Sequence, residues 1–143
     1  NGWIASIFSQ MVGPHGEVFV MNPGDFESGH AISTSLRGVA HNTRVFAGPA
    51  TTLPDPASNE LDAIWFGGAL PLAPKPFREA LAEKGRLVTF LGPRFDDQDL
   101  VCITKTDGEC RERTLGRAKA PVIAGRYGWL RRLPVKTPPQ AAE

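Results

Sequence analysis

The sequence predicts a mixed α/β domain with a mostly parallel, doubly wound (Rossmann-like) sheet that ends in antiparallel strands. Helical and strand-like patterns alternate along the first two thirds of the chain, as expected for parallel strands joined by crossover helices. Two strand-like runs then flank Asp107-Gly108, which is a strong hairpin signal. The connector 92–99 is too short for a parallel crossover, which needs about a dozen residues. The strand after it should therefore run antiparallel.

Composition limits the function classes. The 143 residues are 41% hydrophobic, which suits one compact domain rather than two. A formal net charge of +1 argues against a dedicated nucleic-acid binder. The two cysteines exclude a disulfide-dense scaffold and a four-cysteine zinc site.

The pattern of the first half of the chain predicts two helices, each followed by a strand. Residues 3–12 predict an amphipathic helix that Gly13-Pro14 ends, and we expect its apolar stripe to face the core. That stripe comprises Ile4, Ile7, Phe8, Met11 and Val12. A strand at 17–21, a weak helix at 26–37 and a strand at 43–47 follow.

The second half adds a strand at 61–66 ended by Gly67-Gly68, a helix at 75–84 capped by Gly85, and strands at 86–91, 100–105 and 109–115. A two-residue turn at Asp107-Gly108 pairs residue 105 with 110 and 102 with 113. That register places the two cysteines on opposite faces of the sheet. We therefore expect no disulfide and a reduced intracellular chain, cytoplasmic or mitochondrial.

Charge divides the chain unevenly. Residues 1–104 hold 7 basic and 11 acidic residues, net −4, whereas 105–143 hold 9 and 4, net +5. The two regions are either solvated faces of one domain, or the segment 105–136 forms a basic surface that docks on an acidic partner or RNA. We place the domain at 1–133 and a Pro/Ala-rich tail at 134–143, and we expect residues 130–143 to contact another chain.

Several motifs in order resemble the protein-L-isoaspartate O-methyltransferases, a branch of the class I S-adenosylmethionine (AdoMet) methyltransferases. The resemblance covers residues 2 to about 130, and no single motif in it is diagnostic. The matching segments are the helix from Gly2 to Gly16, Leu61-Asp62-Ala63-Ile64, the prolines Pro71 and Pro74, Lys84-Gly85-Arg86-Leu87-Val88 with Gly92, Lys105-Thr106-Asp107-Gly108, Leu115-Gly116, Pro121-Val122 and Gly128-Trp129.

The resemblance implies a seven-stranded sheet and an AdoMet site that this sequence matches poorly. Gly2 matches the last glycine of the loop that cradles AdoMet, and the first, central strand with the earlier glycines is missing. Asn22 stands where the family has a carboxylate for the ribose, and Gly48-Pro49-Ala50 stands where its Asp receives the adenine amino group. An amide is a weaker acceptor than a carboxylate, and proline has neither a side-chain acceptor nor an N–H. We therefore expect no bound AdoMet.

The missing strand also bears on stability. Without it, the strands at 17–21 and 61–66 would present unpaired backbone to a gap. We expect a longer parent protein, or another chain that completes the sheet.

The remaining candidate sites are weaker. His15, His30 and His41 share no metal-ligand spacing, so no metal site is expected. Packing in the core is the default role of the three tryptophans, Trp3, Trp65 and Trp129. The alternative is that they shape a pocket. The run from Asp96 to Asp99 is typical of a solvated loop rather than a cation site.

Three functions stay open. The first is a non-catalytic methyltransferase-like subunit of a larger assembly. The second is an active AdoMet-dependent protein carboxyl O-methyltransferase whose glycine-rich loop lies in sequence not shown. The third is a nucleotide-binding or small-molecule-binding module that uses the crevice of the fold.

Overall fold

The computed structural model describes residues 2–22, 26–38, 40–49, 51–55 and 60–130. Three helices and six strands lie within these ranges. They are α1 (Trp3–Val12), β1 (Val18–Asn22), α2 (Phe26–Leu36), β2 (Thr43–Ala47), β3 (Leu61–Leu70), α3 (Lys75–Glu79), β4 (Leu81–Leu91), β5 (Gln98–Thr106) and β6 (Glu109–Ala118). The tail predicted at 134–143 and its expected contact with another chain lie outside the described residues.

The strands form two sheets. In the first, β1 and β2 pair in parallel. In the second, the order is β3-β4-β5-β6, with β3 and β4 parallel and the two later pairs antiparallel. The mixed α/β class and the antiparallel ending are confirmed, with the parallel strands divided between the two sheets.

The hairpin has the predicted register. Thr106 pairs with Glu109, Lys105 with Cys110 and Cys102 with Arg113, and both cysteines are free. The connector before β5 contains no helix. Gln98 holds it in place, because its buried side chain donates to the Pro93 carbonyl at 2.8 Å and accepts from the Ala120 N–H at 2.9 Å.

Three of the predicted boundaries in the second half are wrong by four or more residues. Strand β3 continues through Gly67-Gly68, and a register shift between Trp65 and Ala69 absorbs the extra residues, as a β-bulge does. The helix predicted at 75–84 ends at Glu79, and β4 begins at Leu81.

Gly85 does not cap a helix but lies inside β4. A Cβ at this position would lie 2.7 Å from the Leu61 carbonyl oxygen, so glycine lets β4 approach β3 closely. The preceding residue, Lys84, has a positive φ of 67°. Together they form an irregular turn where a helical pattern was expected.

Each sheet has its own hydrophobic core. The larger core joins β3, β4, β5 and α3, and Phe66 and Phe77 pack edge to face within it at 4.8 Å between ring centroids. The smaller core contains Ala5 of α1, Leu36 of α2 and Ala40. These two clusters have no buried residue in common.

Helix α1 forms where predicted, but its apolar stripe does not face the core. Ala5 and Ser9 are its buried residues, whereas Met11 is 74% exposed and Ile4 and Ile7 are each 40% exposed. The 3.6-residue period identifies an apolar face but cannot identify what covers it.

Asn42 fixes the end of α1 against the start of β2. Its Nδ2 donates to the carbonyls of Gly13 at 2.8 Å and Gly16 at 3.0 Å, with a longer contact of 3.2 Å to the carbonyl of Ser9. Its Oδ1 accepts from the Ser9 hydroxyl. One amide thereby satisfies carbonyls that the end of the helix leaves unpaired.

Candidate functional site

The carboxyl ends of β1 and β2 bring two of the predicted site residues together. Asn22 is the last residue of β1 and is buried, and Gly48 directly follows β2. The Gly48 N–H donates to the Asn22 carbonyl at 3.0 Å. This bond extends the parallel ladder by one step, so both residues lie at the same edge of the sheet.

The Asn22 side chain lies beside α2. A Cβ built on Gly29 would be 3.5 Å from Asn22 Nδ2, and a Cβ built on Gly48 would be 3.6 Å from Met21 Cε. The side chain at this position is an amide, where the family resemblance implies a carboxylate. An amide oxygen can accept a hydrogen bond but lacks the charge that strengthens one.

Gly2 precedes α1 and packs on α2. A Cβ at Gly2 would lie 3.1 Å from Leu36 Cδ2 and 3.4 Å from Ile32 Cγ2, so glycine allows the start of α1 to approach α2. No described contact joins Gly2 to Asn22 or Gly48. Of the three predicted residues, the structure joins Asn22 and Gly48 by a hydrogen bond and packs Gly2 against α2.

A large groove separates the two sheets. It has a volume of about 1990 Å³ and lies between β1 and β3, with α1 on one side and residues 122–130 on another. We call it the central groove. The apolar stripe of α1 opens onto it through Ile4, Phe8, Met11 and Val12, and Pro49 also lines it.

All three tryptophans line the central groove. Trp3 and Trp65 are 60% and 39% exposed, so they are wall residues and not buried packing. Trp129 lies on the opposite side, and its indole Nε1 is buried with no hydrogen-bond partner among the described residues. All three indoles therefore border the central groove.

One end of the central groove is closed by the segment after β6. The Ala69 N–H donates to the Pro121 carbonyl at 2.7 Å, and the Ile123 N–H donates to the Ala69 carbonyl at 2.9 Å. Trp129 is attached to this segment, because its N–H donates to the Ile123 carbonyl at 2.8 Å.

Among the described residues, no three His, Cys, Asp or Glu side chains are placed to hold a metal ion. In the same part of the chain, no helix is long and apolar enough to cross a bilayer.

Sequence comparison finds curated relatives that are named protein-L-isoaspartate O-methyltransferase. The chain is 36% identical over 90 residues to the protein-L-isoaspartate O-methyltransferase of Methanoregula boonei, a match covering 63% of this chain and 41% of the relative. It is also 36% identical over 74 residues to that of Methanoculleus marisnigri, covering 52% and 33%. The chain therefore spans less than half the length of these curated relatives. No family model matches it.

Comparison with solved structures shows that the fold matches proteins of the same kind. A protein-L-isoaspartate O-methyltransferase matches with a TM-score of 0.77 at 17% identity, covering 89% of this chain and 40% of that one. A Plasmodium falciparum protein assigned as such an enzyme, in complex with S-adenosyl-L-homocysteine, matches with a TM-score of 0.61 at 17% identity, covering 73% and 51%.

This chain is a relative of the protein-L-isoaspartate O-methyltransferases. Its fold is that of a class I methyltransferase, as the motifs from Gly2 to Trp129 predicted. The central groove lies between β1 and β3, where the missing central strand of the family fold predicted a gap.

Two adjacent glycines give a test of how the central groove is closed. A Cβ on Gly68 would lie 2.5 Å from the Pro121 carbonyl oxygen, whereas one on Gly67 would meet only Trp65 Nε1 at 3.6 Å. We predict that Gly68→Ala displaces residues 121–123 and lowers the free energy of unfolding by about 1–3 kcal/mol.

The measurement combines urea unfolding with amide exchange at Ala69 and Ile123. Both amides should exchange faster in Gly68→Ala, and both should keep their wild-type rates in Gly67→Ala. Equal effects of the two substitutions on stability and exchange would contradict this description of the groove.

Proposed function

We propose that this chain is a methyltransferase-like domain that does not transfer methyl groups and serves as a non-catalytic subunit of a larger assembly. The observation that carries the proposal is the residue set at the carboxyl ends of β1 and β2. Asn22 and Pro49 occupy the two positions where the resemblance expects acceptors for the ribose and the adenine of AdoMet.

The residues present do not fit AdoMet well. Pro49 offers neither a side-chain acceptor nor an N–H, and it lies directly after Gly48, whose N–H is already bonded to Asn22. Each lost hydrogen bond to a buried ligand group costs about 1–3 kcal/mol. Two such losses weaken binding by about two orders of magnitude.

The second candidate is an active AdoMet-dependent protein carboxyl O-methyltransferase with its glycine-rich loop in sequence not shown. The 36% identity to relatives named as protein-L-isoaspartate O-methyltransferases favours it. In that case the domain would contribute mainly by positioning the methyl donor and the acceptor carboxylate. Binding of the cofactor product separates the two candidates.

The partner that we propose for this subunit is an acidic protein surface docked on β6. Cys110 packs on the larger core, so the alternating residues Arg111 and Arg113 lie on the opposite, solvent-facing side of the strand. Both are exposed and belong to no described ion pair. Lys105 is different, because its Nζ donates to the carbonyls of Glu79 and Leu81.

Calorimetric titration with S-adenosyl-L-homocysteine tests the loss of the cofactor site. We predict a dissociation constant weaker than about 100 μM for the wild-type chain, and at least a tenfold gain in affinity for the double variant Asn22→Asp, Pro49→Asp. The double variant Gln10→Asp, Pro14→Asp adds the same two negative charges at exposed positions and should change nothing. Micromolar binding by the wild-type chain would reject the non-catalytic proposal in favour of the active enzyme.

Fluorescence anisotropy with labelled poly-glutamate tests the basic face. We predict that Arg111→Glu, Arg113→Glu weakens binding roughly tenfold at low salt, because like charges replace attractive ones. The double variant Arg37→Glu, Arg126→Glu makes the same change of charge at exposed positions outside β6. Equal weakening in both variants, or tighter binding of single-stranded RNA than of poly-glutamate, would contradict an acidic protein partner at β6.

A further inference from the structure

The turn between β5 and β6 contains the single Asp-Gly step of the sequence, Asp107-Gly108. An aspartyl residue before glycine is prone to ring closure, in which the glycine nitrogen attacks the side-chain carboxyl carbon. Glycine favours this attack because it has no Cβ to hinder the approach of its own backbone nitrogen. The turn that sets the register of the hairpin is thus also a chemically reactive position of the backbone.

Asp107 meets the conditions for this reaction on the side of the attacked group. Both turn residues are exposed, so water reaches them. The Asp107 carboxylate takes part in no ion pair or hydrogen bond among the described residues. No contact in this part of the chain therefore restrains the side chain that the Gly108 nitrogen attacks.

The attacking nitrogen, by contrast, is held by Glu83. The Asp107 N–H donates to Glu83 Oε1 at 2.6 Å, and the Gly108 N–H donates to Oε2 of the same carboxylate at 3.3 Å. The φ values of the two turn residues, 53° and 76°, are those of a two-residue hairpin turn whose N–H groups one anion can bind. Glu83 lies in β4, 24 positions before Asp107, so this contact depends on the fold.

The Glu83 contact opposes ring closure in two ways. The Gly108 nitrogen has to lose its proton when it attacks, and the negative charge of Glu83 beside it disfavours the loss of that proton. Ring closure also turns the peptide unit toward the Asp107 side chain, and this motion breaks a charge-assisted hydrogen bond to Glu83. The folded hairpin thus restrains a reaction that its own turn sequence favours.

A separate contact attaches the hairpin to the end of α3 without touching Gly108. The Lys105 Nζ donates to the carbonyls of Glu79 at 3.1 Å and Leu81 at 2.8 Å. Loss of this contact would loosen the hairpin while leaving Glu83 in place. It therefore distinguishes a general loosening from the specific effect of Glu83 on the Gly108 nitrogen.

We propose that Asp107 is a site of spontaneous conversion to isoaspartate and that Glu83 restrains this conversion in the folded chain. The Gly108 nitrogen loses its proton and bonds to Asp107 Cγ, the carboxyl hydroxyl leaves with a proton as water, and a succinimide ring results. One water molecule then opens the ring at the former backbone carbonyl, so that the main chain continues through Cγ. The inference is independent of the proposed function, since neither AdoMet nor a partner takes part.

The product does not fit the hairpin. An isoaspartyl link adds one carbon atom, Cβ, to the main chain. The register of β5 and β6 depends on a two-residue turn between Thr106 and Glu109, because the length of a turn determines which residues pair. The longer link also moves the two turn N–H groups relative to Glu83. Conversion of Asp107 therefore loosens the end of the hairpin.

The test follows isoaspartate at residue 107 of the full chain during incubation at neutral pH and physiological temperature, without AdoMet so that no methyl transfer intervenes. Because the conversion leaves the mass unchanged, the linkage is read by electron-transfer fragmentation of the peptide that contains residues 107 and 108. Asp96 and Asp97 are exposed but precede larger residues, and they serve as internal references. We expect Asp107 to convert at least about tenfold faster in urea than in the folded chain.

Three variants identify the group responsible. Glu83→Gln removes the charge and one of the two acceptors, and we expect it to accelerate conversion at least about fivefold, the effect of one unit charge at this distance in water. Glu79→Gln removes a charge of the same sign whose carboxylate pairs with Lys75. Lys105→Met removes the ammonium group that attaches the hairpin to α3. These two controls should stay within about twofold of the wild-type rate.

The inference is wrong if Asp107 converts no faster than Asp96 and Asp97 in urea, or if the folded wild-type chain converts as fast as the unfolded one. An unchanged rate in Glu83→Gln would also overturn it. Equal acceleration in Lys105→Met would do the same, since the restraint would then be the general stability of the hairpin. The urea comparison needs no variant, so it decides the question even where Glu83→Gln does not fold.

Discussion

Backbone hydrogen bonding across the middle of the sheet is the constraint on which the structure depends. A strand inside a parallel sheet exchanges hydrogen bonds along both of its edges, and a missing partner leaves two rows of polar groups to satisfy. Here β1 has a partner only at β2, and the edge of β3 that faces the groove is occupied only at Ala69. The division into two sheets, the two separate cores and the central groove all follow from this arrangement.

The same constraint explains the unusual surface of α1. An amphipathic helix normally buries its apolar stripe on a sheet, but the stripe of α1 opens onto the groove between the sheets. Only the narrow Ala5 and Ser9 face is buried. The exposure of Trp3 and Met11 is therefore a consequence of how the described strands pair.

Local patterns predicted most of the elements. The hairpin register followed from Asp107-Gly108, because a two-residue turn determines which residues face each other. The parallel strands at β1, β2 and β3 followed from short apolar runs bounded by turn residues. Asn22 and Pro49 were found because the order of the family motifs placed them at the carboxyl ends of strands.

The element boundaries that the sequence predicted wrongly depend on contacts between residues that are distant in the sequence. The end of α3 and the role of Gly85 are set by the approach of Leu61, which lies 24 positions away in the sequence. The continuation of β3 through Gly67-Gly68 depends on a bulge opposite β4. None of these contacts has a local signature in the sequence.

The most direct test of the central claim is native-state amide exchange of the chain alone, followed over a range of low denaturant concentrations. If no backbone ladder connects the two sheets, they should open as separate units. The amides of Val18 and Val20 should then exchange through a lower free energy of opening, and a different denaturant dependence, than those of Val88 and Ile103. A single shared free energy and slope for both sets would contradict the claim.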